Sequence, residues 1–214
     1  MSGRDAVLAR IRSALSDVPP SETPEDVEVA RTYRRRTNWT REELVERLAQ
    51  RLVEYKASVR RALAGEVAAT VADACARRAV RRLVVPEVLE SSWIPPGLEI
   101  LRDQGLTSEE LDASDGVLTG CRLAIAETGT IVLDGGADQG RRALSLVPDY
   151  HLCVVPVDRI VGTIPEAIEA LESDGQAGLR AVTFISGPSA TSDIEFRRVE
   201  GVHGPRTLDV VLST

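Results

Sequence analysis

The residues best suited by type to do chemistry lie between Thr183 and Arg206, in TFISGPSATSDIEFRRVEGVHGPR. Ser189, Thr191 and Ser192 offer hydroxyls, Asp193 and Glu195 carboxylates, and His203 a ring that exchanges a proton near neutral pH. Gly201 and Gly204-Pro205 flank His203, a pattern that turns the backbone tightly and exposes the ring. The apolar run 181–185 reads as a buried strand running into this polar stretch, an arrangement typical of a site at the carboxyl edge of an α/β sheet. Ser186-Gly-Pro188 then reads as a strand-to-helix turn: Pro188 suits a first helical turn, and Ser192 with Glu195 fits a capping box. Free N–H groups at such a helix start, supplemented by hydroxyls, favour an anionic ligand group, although the same hydroxyls can simply cap the helix. The spacing matches neither a P-loop nor a GxGxxG fingerprint, so it does not point to a nucleotide.

Three further positions share this character. Glu127 interrupts two apolar runs, 123–126 and 131–133, and an unpaired carboxylate there costs several kcal/mol, so it must have a partner or face a cavity. Arg141 and Arg142 follow Gly140, and such a pair either holds a carboxylate or phosphate bidentately or is solvated. His151 stands at the mouth of the apolar run 152–156, as a hydrogen-bonded structural residue or as a ligand. The candidates divide by chemistry. Glu127 and His203 are the acid/base candidates. Arg141, Arg142, Ser189, Thr191, Asp193, Glu195 and His151 are the anion-binding ones. No metal site is expected.

The elements that must position these residues alternate helix and buried strand. Leu8, Ile11 and Leu15 predict an amphipathic helix over 3–16 that packs on the body or docks to a partner subunit. Residues 17–38 form an acidic, proline-bearing linker that closes on Arg34, Arg35 and Arg36. Thr40 with Glu43 is a capping box, opening a helix that carries Leu44, Leu48, Leu52 and Tyr55 on one face. A helix over 64–78 follows, then a strand over 81–86 ended by Pro86. A brief strand at 98–101, capping boxes at Thr107/Glu110 and Thr163/Glu166, and a last strand at 208–212 complete the pattern. Residues 1–38 are therefore an arm of helix and linker, and 39–214 a domain with an α/β fold in which a mostly parallel central sheet is flanked by helices.

At 214 residues the chain can bury a core without staples, and its 43% apolar and 28% charged residues are those of a soluble globular protein. Aromatic residues make up 3%, too few for the stacking platforms of single-strand nucleic-acid binders, and the net charge of −7 repels polyanions. Lys56 is the only lysine, on what reads as an ordinary helix face. Cys75, Cys121 and Cys153 are widely spaced with no CxxC, so this chain alone assembles neither a zinc knuckle nor an iron–sulfur cluster. There is no signal-peptide pattern and no 18-residue apolar run for a membrane span, and the expected location is the cytoplasm.

Ala126-Glu-Thr-Gly-Thr130, Gly140-Arg-Arg142, His151 with Val155-Pro156 and Asp158-Arg-Ile160, Ser186-Gly-Pro-Ser189 with Asp193-Ile-Glu195, and Gly201-Val-His-Gly-Pro205 stand in one order over about residues 115–212. In that combination the sequence resembles the lactate utilization protein C family of LUD-domain proteins. The resemblance implies a fold like the sugar-phosphate isomerase and CoA-transferase group (NagB/RpiA/CoA transferase-like). It also implies a role in oxidising L-lactate to pyruvate together with two iron–sulfur proteins that carry the clusters, leaving this chain without a cofactor of its own. Three functions are compatible with these residues: an accessory subunit that binds a small carboxylate or phosphate or a partner surface, a stand-alone isomerase- or CoA-transferase-like enzyme with Glu127 or His203 as acid/base, and a scaffold.

Overall fold

A computed structural model of the chain describes residues 2–19, 21–23, 29–30, 32–173, 181–191, 199–200 and 203–214, with 190–191 and 199–200 described as backbone. Asp193 and Glu195, and the Ser192 capping box, lie outside the described residues. The chain forms two compact units, Met1–Arg34 and Arg35–Thr214. The first contains α1 (Gly3–Ala14), whose start is a capping box of Ser2 and Asp5. Leu8 and Ile11 lie on this helix, and Leu15 is its C-cap residue.

The second unit begins at Arg35 because the chain is held down from that residue onward. Thr163 Oγ1 donates to the Arg35 carbonyl at 3.0 Å, the Thr37 N–H donates to Glu166 at 3.2 Å, and Arg36 pairs with Glu169 at 2.6 Å. In chain order the elements are α2 (Arg41–Glu54), β1 (Ser58–Ala62), α3 (Val67–Arg77), β2 (Arg82–Pro86), β3 (Glu99–Asp103), α4 (Ser108–Asp112), β4 (Gly116–Thr119), β5 (Leu123–Ile125), β6 (Thr130–Leu133), β7 (Tyr150–Pro156), β8 (Ile160–Val161), α5 (Ile164–Glu172), β9 (Thr183–Ile185), β10 (Ala190–Thr191), β11 (Val199–Glu200) and β12 (Thr207–Ser213). Among the described residues the strands form a six-stranded sheet in the order β1-β12-β7-β4-β2-β3, every neighbouring pair parallel. A smaller sheet, β8-β5-β6-β9, is built on the antiparallel β5–β6 hairpin, and β10 and β11 pair antiparallel over two residues each.

Alternation along the central strands sorts their side chains into two faces. Leu152 and Val154 of β7, Val211 of β12, and Leu83 and Val85 of β2 pack with Val67, Val71, Ala74 and Cys75 of α3. Cys153, Val155, Val210 and Leu212 point the other way, against Val45, Leu48 and Leu52 of α2 and Ala124, Ile131 and Leu133 of the smaller sheet. Both faces of the parallel sheet are thus covered, which is why 152–155 of β7 and 210–212 of β12 read as continuous apolar runs. Leu48 and Leu52 are completely buried, each contributing roughly 1.5–3 kcal/mol. Ala167 of α5 closes the outer side of the smaller sheet over Leu123, Ile125 and Val132. No helix among the described residues is long and apolar enough to cross a membrane.

Two elements depart from the sequence reading. The run around Thr183–Ile185 is an edge strand of the smaller sheet, with Phe184 51% exposed, instead of a buried strand of the central one. Ser189 leads into β10, where a helix start was expected; the Ala190–Thr191 backbone pairs with Val199–Glu200. A third element, β1, went unread because Arg60 and Arg61 break its apolar pattern; Arg60 turns instead toward buried Asp209 of β12 at 2.9 Å.

Candidate functional site

In open parallel sheets, ligands usually bind at the carboxyl ends of the strands. Here the chain's own loop lies over that edge. The Gly120 N–H, just beyond β4, donates to the Asp138 carbonyl at 2.8 Å, and a Cβ on Gly120 would overlap the Asp138 carboxylate, whose Cγ would be 2.9 Å away. Arg159 holds that carboxylate at 2.6 Å and also donates to the Cys121 carbonyl. Gly140, at φ +69°, packs over Pro86 at the end of β2. Arg141 then forks onto Asp103 at the end of β3, at 2.8 and 3.0 Å, and reaches the Leu106 carbonyl. Those hydrogen bonds from Arg141 hold the Asp103 carboxyl below the usual range despite its burial. Arg141 is therefore an anchor of the loop, its guanidinium already committed to a carboxylate.

Arg142 turns the other way and donates to the Thr183 hydroxyl at 2.7 Å. No carboxylate among the described residues pairs with it. It stands between two clefts. The larger, about 670 Å³, is lined by Asp112, Arg142, Asp149, His203 and Arg206 with Leu146, Val147 and Gly204. The smaller, about 320 Å³, lies beside the glycine loop and includes Gly135, Gln139, Ser145 and Thr183. Asp149 immediately precedes β7 and Arg206 immediately precedes β12, and these strands run parallel with Tyr150 opposite Thr207. The larger cleft thus opens at the amino edge of the central sheet. The smaller cleft lies instead with the glycine loop over the carboxyl edge.

The wall around His203 is braced by Ser189. The His203 N–H donates to Ser189 Oγ at 3.2 Å, and the Ser189 N–H donates to the Pro205 carbonyl at 2.8 Å. Ser189 therefore shapes the turn that presents His203, which is exposed. Arg206 faces Asp149 at 3.6 Å, and its N–H donates to the same carboxylate at 3.4 Å. Thr191 enters through its backbone only, in β10.

Glu127 and His151 are placed elsewhere. Glu127 is half-buried in the turn between β5 and β6, its N–H on the Gly162 carbonyl at 3.0 Å and its charge felt by Arg51 of α2. It is not among the lining residues of either cleft, so of the two acid/base candidates only His203 lines one. Its turn packs on α2: Gly129, at φ +65°, leaves no room for a Cβ, which would come within 2.5 Å of Arg51 Cβ. A hydroxyl chain runs from Thr128 to Thr130 at 2.7 Å and on to Ser186 at 2.8 Å, joining the Glu-Thr-Gly-Thr block to the Ser-Gly-Pro block. These blocks hold the smaller sheet onto α2.

His151 is 1% exposed on β7, its Nε2 hydrogen-bonded to Thr119 Oγ1 at 2.8 Å. Burial lowers its pKa to about 4, so the ring is neutral and enclosed, and an anion-binding role for it is corrected to a structural one. The thiols are all buried, Cys75 in the α3 core and Cys121 and Cys153 in the core on the opposite face. Cys121 and Cys153 are neighbours there, and Cys75 stands apart from them across the sheet. Asp112, Asp149, Thr183 and Arg206, which also line the clefts, were not among the expected site residues; Asp149 and Arg206 become neighbours only through the pairing of β7 with β12.

The domain is thus of α/β class, a six-stranded parallel sheet with a small mixed sheet packed on one face and a polar cleft at the amino edge. Residues 45–213 match the family model of the LUD domain. Lactate utilization protein C of Deinococcus radiodurans is 48% identical over 174 residues, 81% of each chain, and Lactate utilization protein C 1 of Bacillus mycoides is 35% identical over 133 residues, 58% of this chain and 56% of that one. A crystal structure of a DUF162 family protein from Deinococcus radiodurans superposes with a TM-score of 0.71 at 42% identity, covering 82% of this chain and 99% of that one. The chain belongs to the LUD-domain family.

Proposed function

We propose that this chain serves lactate utilization as a cytoplasmic subunit that binds a small carboxylate in the amino-edge cleft, with the redox centres carried by partner iron–sulfur proteins. The observation that carries the binding role is the convergence of Arg142, His203 and Arg206 on one cleft of about 670 Å³. Arg142 supplies the charge: it is held in place by a neutral hydroxyl and keeps donors for a carboxylate. The names of the relatives support the lactate context. Burial of the thiols in two cores on opposite faces of the sheet supports placing the clusters on partners. The stand-alone enzyme reading keeps only His203 of its two acid/base candidates at this cleft, because Glu127 lies in the turn packed on α2.

The test contrasts the two adjacent arginines. Binding of ¹³C-labelled L-lactate is followed by NMR on the wild type, Arg142→Ala and Arg141→Ala, alongside lactate-dependent growth of cells carrying each variant. Loss of one charge-assisted carboxylate contact of about 1.5–3 kcal/mol predicts a roughly ten- to hundredfold weaker affinity for Arg142→Ala, with stability unchanged. Arg141→Ala should keep the affinity and lose about 1 kcal/mol of stability, a figure discounted for the half-exposed guanidinium. Unchanged affinity in Arg142→Ala would refute the proposed binding site.

A further inference from the structure

The larger cleft is not purely cationic. Asp149 and Asp112 line it together with Arg142, Arg206 and His203. A site that only needed to attract an anion would gain nothing from two carboxylates in its wall, and each weakens its attraction for a negative ligand. A mixed lining suits a ligand that presents a carboxylate at one end and a hydrogen-bond donor beside it.

Asp149 is the better placed of the two acids to receive that donor. Its backbone carbonyl accepts the Thr207 N–H at 3.2 Å and its Oδ1 accepts the Arg206 N–H at 3.4 Å, so the carboxylate is tied to the starts of two adjacent strands. Its Oδ2 stands 3.6 Å from the Arg206 guanidinium, beyond hydrogen-bond length, and keeps acceptor capacity for another donor. Resting on the carboxylate-binding role proposed above, we infer that Asp149 is a specificity-determining residue. It accepts the hydroxyl proton of a 2-hydroxy acid whose carboxylate lies on Arg142. A 2-oxo acid presents a carbonyl oxygen at the same place, an acceptor facing an acceptor, and is disfavoured. The cleft thereby distinguishes the reduced acid from its oxidised counterpart without any redox centre of its own, by the donor that only the hydroxy acid carries.

The experiment measures dissociation constants of L-lactate and pyruvate by isothermal titration calorimetry for the wild type, Asp149→Asn and Arg206→Ala, with the melting temperature recorded for each. The wild type is expected to bind L-lactate at least tenfold more tightly than pyruvate, the effect of one hydrogen bond to a charged acceptor. Asp149→Asn presents an amide N–H that can serve the carbonyl oxygen, so the ratio should fall toward one or reverse. Arg206→Ala removes Asp149's ionic neighbour but leaves the acceptor; it should weaken both ligands while preserving the ratio, which separates selection by Asp149 from a general disturbance of the wall. Equal wild-type affinities, or a ratio unchanged in Asp149→Asn, would overturn the role of Asp149 and leave the carboxylate cleft standing. Binding of neither acid to the wild type would overturn both.

Discussion

Asp209 gives the sharpest prediction about what holds this domain together. It is fully buried on β12, on the face covered by α3, and its carboxylate takes hydrogen bonds from Arg78 at 2.8 Å, Arg60 at 2.9 Å and the Tyr150 hydroxyl at 3.1 Å. Three elements, β1, β7 and the end of α3, are tied together through this one group. Asp209→Asn keeps the shape and removes the charge, and its amide would point a donor at a guanidinium. Two charge-assisted hydrogen bonds of about 1.5–3 kcal/mol each are weakened or lost. The side chains of Arg60 and Arg78 are 23% and 34% exposed, so both recover some hydration and the sum must be discounted. The expected loss is roughly 3 kcal/mol, within the range for breaking one partner of a buried pair. It corresponds to a fall in Tm of about 6–12 °C for a domain of this size. Urea unfolding should show the midpoint shifted at constant slope.

The sign with pH follows from the same contacts. Burial alone raises the Asp209 pKa, and the Arg78 and Arg60 guanidiniums more than offset it, leaving it below its ordinary 3.8. The contribution is therefore fully present above that value and is lost as pH falls through the lower folded one, so wild type and variant should converge in acid. A loss under about 1 kcal/mol at neutral pH, or a gap that does not narrow in acid, would refute the assignment of Asp209 as the central tie.

Two other substitutions probe the elements that frame the site. His151 has its pKa lowered from 6.5 to about 4 by burial, so protons bind the unfolded chain first and stability is present above pH 6.5 and lost as pH falls from 6.5 toward 4. The loss should be about 2 kcal/mol by pH 5, and His151→Gln should remove that slope in unfolding measured across pH 5–7. Gly129 and Gly97 both have positive φ, +65° and +82°, but only Gly129 abuts α2. Alanine should cost about 1–2 kcal/mol at Gly97 and roughly 3 kcal/mol at Gly129 in urea unfolding; equal losses would argue against the close packing of that turn on Arg51.

What could be read from the sequence was whatever one segment decides for itself. The Thr40/Glu43, Thr107/Glu110 and Thr163/Glu166 capping boxes all form, because their partners are three residues apart. Leu48 and Leu52 went to the core, and the apolar runs of β2, β6 and β7 became buried strands. Misreadings arose where the partner was distant. The three residues of β9, Thr183–Ile185, carry no mark of being an edge, and the hydrophobic pattern of β1 is broken by an arginine whose partner lies on β12. The cleft itself was half legible. Arg142, Ser189 and His203 stood out by type, whereas Asp149 and Arg206, 57 residues apart, meet only because β7 and β12 are parallel neighbours. Arg141 and Arg142 look equivalent in sequence, and only the structure shows one spent on Asp103 and the other facing the cleft.

The most direct test of the carboxylate cleft is a crystal structure of the protein grown with L-lactate. The lactate carboxylate should lie within hydrogen-bond distance of Arg142, in the amino-edge cleft between His203 and Arg206. Lactate ordered at the Glu127 turn, or against the glycine loop at the carboxyl edge, with the Arg142 cleft holding only solvent, would contradict it.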